Sequence, residues 1–193
     1  MRYLVTGERG FLLSGVMGEF KGEVISYEYG ESYQNIDVVV HFASPVDRYE
    51  FRDKRNMAHT MVDYSLSLVE IAKENNAKFI FASSRAAGVC DDDYGVYKKF
   101  LEQYIEANIY NHLIYRIPRV YGSERKKGLM KQLRLDDIDN PSDYNKSLHY
   151  LDIEDFRSWF KENLYNTGIV EYEGLYRINT IEEIKNLYIT KGE

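Results

Sequence analysis

Residues 1–13, MRYLVTGERGFLL, decide the fold. Residues 2–5 are mostly apolar and favour a β-strand, Thr6 and Gly7 interrupt that run, and Gly10 precedes a segment compatible with a helix. Glycine lets a turn pass close to a ligand, and the N-terminus of a helix carries partial positive charge. The order of strand, glycine turn and helix therefore predicts a site for the phosphates of a nucleotide cofactor.

The glycine motif lacks one member of the full dinucleotide pattern. A third glycine would allow close packing of helix on strand, but this chain has Leu13 at that position and its next glycine is Gly15. An ordinary strand-to-helix turn is the alternative interpretation. Glu28 favours the cofactor, because about 20 residues after the first glycine, Gly7, an acidic side chain commonly binds the adenosine ribose. A carboxylate there would repel a 2′-phosphate, so we expect NAD ahead of NADP, unless Glu28 is a plain surface residue.

The composition is that of a globular chain with an ordinary core. The 193 residues are 44% hydrophobic and include only 3 prolines. A formal net charge of -6 and a pI near 5.4 argue against a general affinity for nucleic acid or anionic membranes. The sole cysteine, Cys90, excludes an internal disulfide and fits a reducing compartment.

The expectations for cellular location and metal binding rest on sequence signals that are absent. No apolar run approaches the length of a membrane helix, and the N-terminus leads straight into a strand instead of a signal peptide. The expectation is therefore cytoplasmic residence without membrane contact. The four histidines have no ligand-like spacing to one another or to Cys90, so no metal site is expected.

Strands and helices alternate through the first 122 residues. After the opening strand, β-favouring runs predict strands at residues 23–27, 37–44, 78–84 and 112–117. Helices are predicted at residues 11–20, 55–75 and 94–108. Near-continuous apolar runs such as DVVVHFAS are typical of strands covered on both faces. The pattern predicts an α/β fold in which residues 1–122 form a doubly wound parallel sheet of the Rossmann-like type.

The pattern changes after Gly122. Charged loops surround a short helix near residues 129–133, a short strand follows at residues 150–151, and Asp152 could cap a helix over residues 153–165. A last strand is predicted at residues 175–178, and Thr180 and Glu183 have capping-box spacing before a terminal helix. We expect residues 123–193 to form a small C-terminal substrate cap at the carboxyl edge of the sheet, where ligands bind in such folds.

The candidate catalytic residues follow the strand at residues 78–84. That strand ends in two serines, and Tyr94 and Lys98 lie one helical turn apart ten residues later. Positive charge near a phenol lowers its pKa from a starting value near 10. Ser84 could therefore donate a hydrogen bond to a substrate oxygen while Tyr94 exchanges the proton. A chain with 18 tyrosines contains such pairs by chance, so the position after a parallel strand carries the prediction.

These segments together resemble the extended short-chain dehydrogenase/reductase family, the NAD-dependent epimerases and dehydratases that modify sugar nucleotides. The resemblance runs in order along nearly the whole chain, as an abridged member. The matching segments are TGERGFL (6–12), DVVVHFAS (37–44), FIFASS (79–84), YGVYK (94–98) and YRIPRVYG (115–122), with weaker matches in HYLDIEDF (149–156) and LYRIN (175–179).

The resemblance implies roles for individual residues. Ser84, Tyr94 and Lys98 would form a catalytic triad in which Tyr94 is the acid/base and Lys98 also holds the nicotinamide ribose. Arg119 stands where many members carry a substrate-facing asparagine, and its guanidinium could pair with the diphosphate of a sugar nucleotide. The remaining cofactor contacts implied are Gly7, Gly10, Phe11 and Leu12 at the pyrophosphate, Glu28 at the adenosine ribose, and Phe42, Ala43 and Ser44 at the inner wall.

Two hypotheses about function follow. The first is an NAD-dependent epimerase, dehydratase or reductase that acts on a nucleotide-linked sugar. The second is a non-catalytic dinucleotide-binding or scaffold module of the same fold, because Leu13, the short connection from Ser84 to Tyr94 and the abridged C-terminal part depart from the family pattern. The resemblance also implies a homodimer formed by helices 55–75 and 94–108, with Tyr64, Tyr104 and Ile105 as apolar contacts.

Overall fold

A computed structural model describes residues 1–43, 59–90, 92–125, 129–135 and 144–189. Its strands form two sheets. The strands are β1 (Arg2–Thr6), β2 (Glu23–Ser26), β3 (Val38–His41), β4 (Lys78–Ser84), β5 (His112–Ile117), β6 (Val120–Tyr121), β7 (Ser147–Asp152), β8 (Gly168–Glu171) and β9 (Arg177–Thr180).

The larger sheet has the strand order β2-β1-β3-β4-β5-β8, and every pairing in it is parallel. The smaller sheet has the order β6-β7-β9. Because the six strands are parallel, their carboxyl ends share one edge of the larger sheet. The predicted doubly wound, Rossmann-like α/β fold is confirmed.

Helices cover both faces of the larger sheet and pack on the smaller one. A 3-10 turn at Met17–Glu19 and a π-helix at His59–Asp63 supplement the α-helices. The α-helices are α1 (Phe11–Ser14), α2 (Tyr64–Asn75), α3 (Ala86–Val89), α4 (Asp93–Asn108), α5 (Leu129–Arg134), α6 (Ile153–Asn163) and α7 (Ile181–Tyr188).

Side chains alternate between two core layers along each strand. In β1, Tyr3 and Val5 pack on the side of α6, whereas Leu4 packs on the side of α2 and α4. This period of two explains why strands buried on both faces have nearly continuous apolar sequences. A third apolar cluster, between the smaller sheet, α5 and α7, contains Tyr150 and Ile184 at its centre.

Several element boundaries differ from the predictions. The first helix, expected over residues 11–20, ends at Ser14 and is followed by the separate 3-10 turn, with Leu13 fully buried in the core. The last strand, expected at residues 175–178, is β9 at Arg177–Thr180. Strand β8 was not predicted, because its four residues GIVE form a short edge strand without a clear alternation.

The C-terminal part contributes to both sheets. Helix α6 packs Phe156, Trp159 and Phe160 on the larger sheet, and β8 pairs with β5 at the edge of that sheet. Residues after Gly122 therefore do not all lie in a separate cap. The division into residues 1–122 and 123–193 stays a prediction, and the smaller sheet with α5 and α7 is the part nearest to the expected cap.

Candidate active site

The glycine turn after β1 lies against the end of β3. Gly7 has a φ of +82°, which favours glycine, and a Cβ at this position would lie 2.7 Å from the backbone nitrogen of Ala43. The N–H of Gly10 donates a 2.8 Å hydrogen bond to the carbonyl of Gly7. A side chain is therefore excluded at Gly7, and the turn packs tightly against the end of β3.

The helix that follows the turn has a single α-helical turn. Gly10 caps it through backbone only, and Phe11 and Leu12 are half-buried at its start. Leu13, at the position of the missing third glycine, fills core space instead of allowing close helix packing. Since α1 is so short, its dipole contributes little, and the backbone N–H groups of the turn would carry any phosphate contact.

The buried His41 is hydrogen-bonded to Thr6, the residue before the glycine turn. The Oγ of Ser65 donates to the carbonyl of Met61 at 2.5 Å, so it must accept its 2.7 Å bond from Nε2 of His41. The Oγ1 of Thr6 accepts from the N–H of Ala43 at 3.1 Å and donates to Nδ1 of His41 at 2.7 Å. Burial lowers the pKa of His41 to about 3, and the charge of Lys98 acts in the same direction, so the ring is neutral.

The expected ribose-binding carboxylate lies beyond the second strand. Strand β2 ends at Ser26, and Glu28 is exposed two residues later, where its N–H donates to the hydroxyl of Tyr33 at 2.8 Å. A second carboxylate, Glu8, lies in the glycine turn and receives a 3.3 Å hydrogen bond from the Oγ of Ser26. Two acidic side chains thus flank the end of β2. Phe42 and Ala43 follow β3 as expected, whereas Ser44 lies outside the described residues.

Strand β4 and helix α4 bring the catalytic candidates to the same edge. Ser84 ends β4, and its Oγ accepts a 3.2 Å hydrogen bond from the N–H of Ala86. Gly95 lets α4 approach this turn, because a Cβ there would lie 2.5 Å from the carbonyl oxygen of Ala86. Asp92 caps α4 by accepting from the N–H of Gly95 at 2.7 Å. This contact places Tyr94, the residue before Gly95, beside the turn that begins at Ser84.

Lys98 is buried beneath Tyr94. Its ammonium donates a 2.7 Å hydrogen bond to the carbonyl of Ala82, lies 4.5 Å from the ring centre of Phe81 and lies 5.8 Å from that of Tyr94. Only 1% of Lys98 is exposed. Burial lowers the pKa of Lys98 to about 7, although the nearby carboxylate of Glu102 opposes this change. Its charge can therefore change near neutral pH, which suits a group that participates in proton transfer.

A buried ionic network behind Lys98 was not anticipated. Glu102, one turn further along α4, is fully buried and accepts from Ser83 at 2.6 Å. Both carboxylate oxygens of Glu102 accept from the guanidinium of Arg116, at 3.0 and 2.8 Å, and Arg116 also pairs with Glu171 at 2.5 Å. The network ties the residue before Ser84 to the helix that carries Tyr94. Only the spacing of four from Lys98 to Glu102 could have indicated it.

The residues after β5 bring two arginines to the site. Arg119, expected to face substrate, is exposed, and its carbonyl accepts a 2.8 Å hydrogen bond from the N–H of Leu151. Arg125 is partly buried and lies over the ring of Phe11. Sequence reasoning missed Arg125 and Gly95, and only the position of Gly95 inside the YGVYK motif gave any signal.

These features define a protein with a Rossmann-like fold, a glycine turn at the carboxyl edge and a Ser, Tyr and Lys constellation at the same edge. No protein-family model matches the sequence, and no curated protein matches it significantly. Solved structures do match it. UDP-glucose 4-epimerase from Thermus thermophilus, in complex with NAD, has a TM-score of 0.72 and 17% identity over 98% of this chain and 83% of that one.

Two further structures show the range of the likeness. The dTDP-4-dehydrorhamnose reductase from Bacillus anthracis, in complex with NADP, has a TM-score of 0.71 and 12% identity over 98% of this chain and 80% of its own. The capsular polysaccharide assembling protein CapF from Staphylococcus aureus has a TM-score of 0.69 and 18% identity. This chain is covered over 97% in that match but spans only 56% of the CapF chain. At such identities the likeness establishes the fold, and the predicted resemblance to the NAD-dependent epimerases and related enzymes is confirmed at that level.

Proposed function

We propose that this protein is an NAD-dependent enzyme that epimerises, dehydrates or reduces a nucleotide-linked sugar. The observation that carries the proposal is the position of the buried Lys98 ammonium, 5.8 Å from the ring of Tyr94, at the sheet edge that also carries the glycine turn. The solved structures support the class, since their descriptions name UDP-glucose 4-epimerase and dTDP-4-dehydrorhamnose reductase.

The proposed catalytic roles follow from the chemistry of each group. Tyr94 transfers a proton to or from a substrate hydroxyl, because positive charge beside its ring favours the phenolate. Lys98 supplies that charge when protonated and would hold the nicotinamide ribose. Ser84 donates a hydrogen bond to the reacting oxygen; its Oγ accepts from Ala86, so its own proton is available for this purpose.

The proposed cofactor is a nicotinamide dinucleotide, which supplies hydride transfer when bound. The tight glycine turn between β1 and α1, at the carboxyl edge of the sheet, supports such a group, because backbone N–H groups at the start of a helix bind phosphate. Glu8 and Glu28 support NAD over NADP, since their carboxylates would repel a 2′-phosphate. The residues proposed to hold the cofactor are Gly7, Gly10, Phe11, Leu12, Glu28, Phe42, Ala43, Ser44 and Lys98.

A non-catalytic dinucleotide-binding or scaffold module is the second candidate. It is favoured by Leu13 at the position of the third glycine, by the single turn of α1, and by the hydrogen bond that engages the Lys98 ammonium with Ala82. Calorimetry separates the two candidates. An enzyme is expected to bind both NAD and a sugar nucleotide such as UDP-glucose, whereas a module binds NAD alone, and the latter result would overturn the catalytic proposal.

Quaternary structure and location complete the proposal. We propose a homodimer through α2 and α4, with one correction: Ile105 is fully buried in the core of its own chain and cannot contact a partner. The exposed face of α4 instead carries Val96 and Phe100, 51% and 44% exposed, beside Tyr104. Among the helices of the described residues, none has the length and apolar character needed to span a bilayer. Cytoplasmic residence stays a prediction.

A further inference from the structure

Arg125 lies over the residues proposed to bind the cofactor. Its guanidinium carbon is 5.7 Å from the ring centre of Phe11, the first residue of α1, and 5.7 Å from that of Tyr121. Gly122 permits this arrangement, because a Cβ there would lie 3.2 Å from the ring of Phe11 and 2.9 Å from the side chain of Ile153. The turn that carries Arg125 is therefore folded directly onto the start of α1.

The charge of Arg125 lacks a counter-ion among the described residues. Its neighbour Glu124 pairs with Arg157 at 3.5 Å instead. The guanidinium of Arg125 donates to the carbonyl of Val120, which engages part of a group that has five N–H donors. Burial lowers the pKa of Arg125, and the positive charge of Arg119 adds to this effect. An anion bound here would offset both the desolvation of the guanidinium and its repulsion from Arg119.

Arg119 extends the same positive region. Its side chain is exposed and makes no ion pair with a described residue. Arg119 precedes Tyr121 in the sequence, whereas Arg125 follows it. Tyr94 is also close enough to interact electrostatically with Arg125. The positive region therefore adjoins both the start of α1 and the proposed acid/base.

We propose that Arg125, assisted by Arg119, binds a phosphate or diphosphate group. The planar guanidinium suits bidentate bonds to phosphate oxygens, and the rings of Phe11 and Tyr121 limit competition from water. Two ligands carry this chemistry, the dinucleotide and the nucleotide-linked sugar. The inference deepens the proposed function and rests on it for the identity of those two ligands.

The test measures the binding of NADH, UDP and inorganic diphosphate by calorimetry, with the full chain and the variants Arg125→Gln, Arg125→Lys and Arg119→Gln. Lys161→Gln is the control, since it removes the same charge from a side chain that is 67% exposed on α6. Arg125→Gln is expected to weaken the binding of NADH or UDP about 10-fold or more, the usual effect of losing a charge-assisted hydrogen bond. Arg125→Lys is expected to retain part of the affinity, and Lys161→Gln all of it.

The two nucleotide probes identify the source of the phosphate. A loss confined to NADH assigns Arg125 to the cofactor, and a loss confined to UDP assigns it to the substrate. Unchanged affinity for both in Arg125→Gln and Arg119→Gln would overturn the inference, as would a wild-type protein that binds none of the three probes. Binding does not require turnover, so an inactive protein with Arg125-dependent affinity would refute the catalytic proposal alone. The Arg119 side chain makes no hydrogen bond or ion pair with described residues, so its variant tests the site even if Arg125→Gln fails to fold.

Discussion

The ammonium nitrogen of Lys98 lies 5.8 Å from the ring centre of Tyr94, and both side chains belong to successive turns of α4. The pair resembles a proton-transfer unit because the amine is buried and the phenol is only partly so. Burial of Lys98 also makes the stability of the fold depend on pH, because it lowers the pKa of the ammonium group.

Lys98 is expected to make the free energy of unfolding rise with pH. Its pKa is about 7 in the folded chain against 10.5 as the ordinary value, so the unfolded state binds more protons between these limits. Stability from this group is therefore present at high pH and lost as pH falls toward 7. In Lys98→Met the slope of unfolding free energy against pH should be smaller between pH 7 and 10, measured by urea unfolding. An unchanged slope, equal to that of the surface control Lys161→Met, would contradict the assignment.

The chain of hydrogen bonds from Thr6 through His41 to Ser65, here called the histidine chain, gives a second prediction. Ser65→Ala removes the acceptor of the Nε2 proton of His41, and the buried N–H left without a partner should cost about 1–3 kcal/mol of unfolding free energy. Ser158→Ala serves as the control, because Ser158 is exposed on α6. Chemical denaturation of both variants measures the difference. Equal stability of the two would show that the histidine chain does not hold the site together.

Acid should unfold the protein partly through the same histidine. The pKa of His41 is lowered to about 3 from 6.5, so the unfolded state binds the extra proton between these values. The contribution is present above pH 6.5 and lost as pH falls toward 3. His41→Gln is expected to be less stable at neutral pH but to lose less further stability on acidification. Unfolding free energies at a series of pH values test this, and parallel curves for the two proteins would refute it.

Gly95 is expected to be indispensable to the position of Tyr94. In Gly95→Ala the new methyl group would lie 2.5 Å from the carbonyl oxygen of Ala86, a backbone atom that cannot move without shifting α3 or α4. Overpacking of this kind costs about 1–3 kcal/mol. Gly18→Ala is the matched control, because a Cβ there meets nothing within 4 Å. A Gly95→Ala protein as stable as Gly18→Ala would show that the close contact is not required.

The buried carboxylate of Glu102 is expected to stabilise the whole edge. Glu102→Gln leaves Arg116 without its bidentate partner, which should lower the unfolding free energy by about 3 kcal/mol. Glu106→Gln, exposed one turn later on α4, should leave stability nearly unchanged. Thermal unfolding distinguishes the two. Equal melting temperatures would mean that the ionic network does not hold β4 to α4.

Much of the fold could be predicted because long buried strands and helix caps have local signals. Strand β4 has the predicted bounds, Asp152 caps α6 through Glu154 as expected, and Thr180 and Glu183 form the predicted capping box. The first helix was predicted too long: α1 ends at Ser14 with Gly15 as its C-cap, and Gly15 and Gly18 are local signals against a helix that continues to residue 20. Burial of Ile105 and the edge strand β8 depend instead on packing between elements distant in sequence.

The candidate site shows the same division. The glycine turn and the spacing of Tyr94 to Lys98 are local patterns, so sequence alone could indicate them. His41, Glu102 and Arg125 were missed because each depends on a partner distant in sequence. His41 contacts Ser65, 24 residues away, and Glu102 contacts Arg116, 14 residues away. Arg125 lies over Phe11 in the first helix. Long-range contacts of this kind leave no fixed spacing in a single sequence.

Turnover of sugar nucleotides by wild type and Tyr94→Phe decides whether Tyr94 is the catalytic acid/base. Each protein is incubated with NAD or NADH and a panel of UDP- and dTDP-linked sugars, and products are separated by chromatography. Tyr97→Phe, on the same helix beside Lys98, is the control. Tyr94→Phe is expected to reduce the rate by about 100-fold or more, the usual contribution of a general acid/base, whereas Tyr97→Phe is expected to retain it. Equal rates for wild type and Tyr94→Phe would contradict this role of Tyr94.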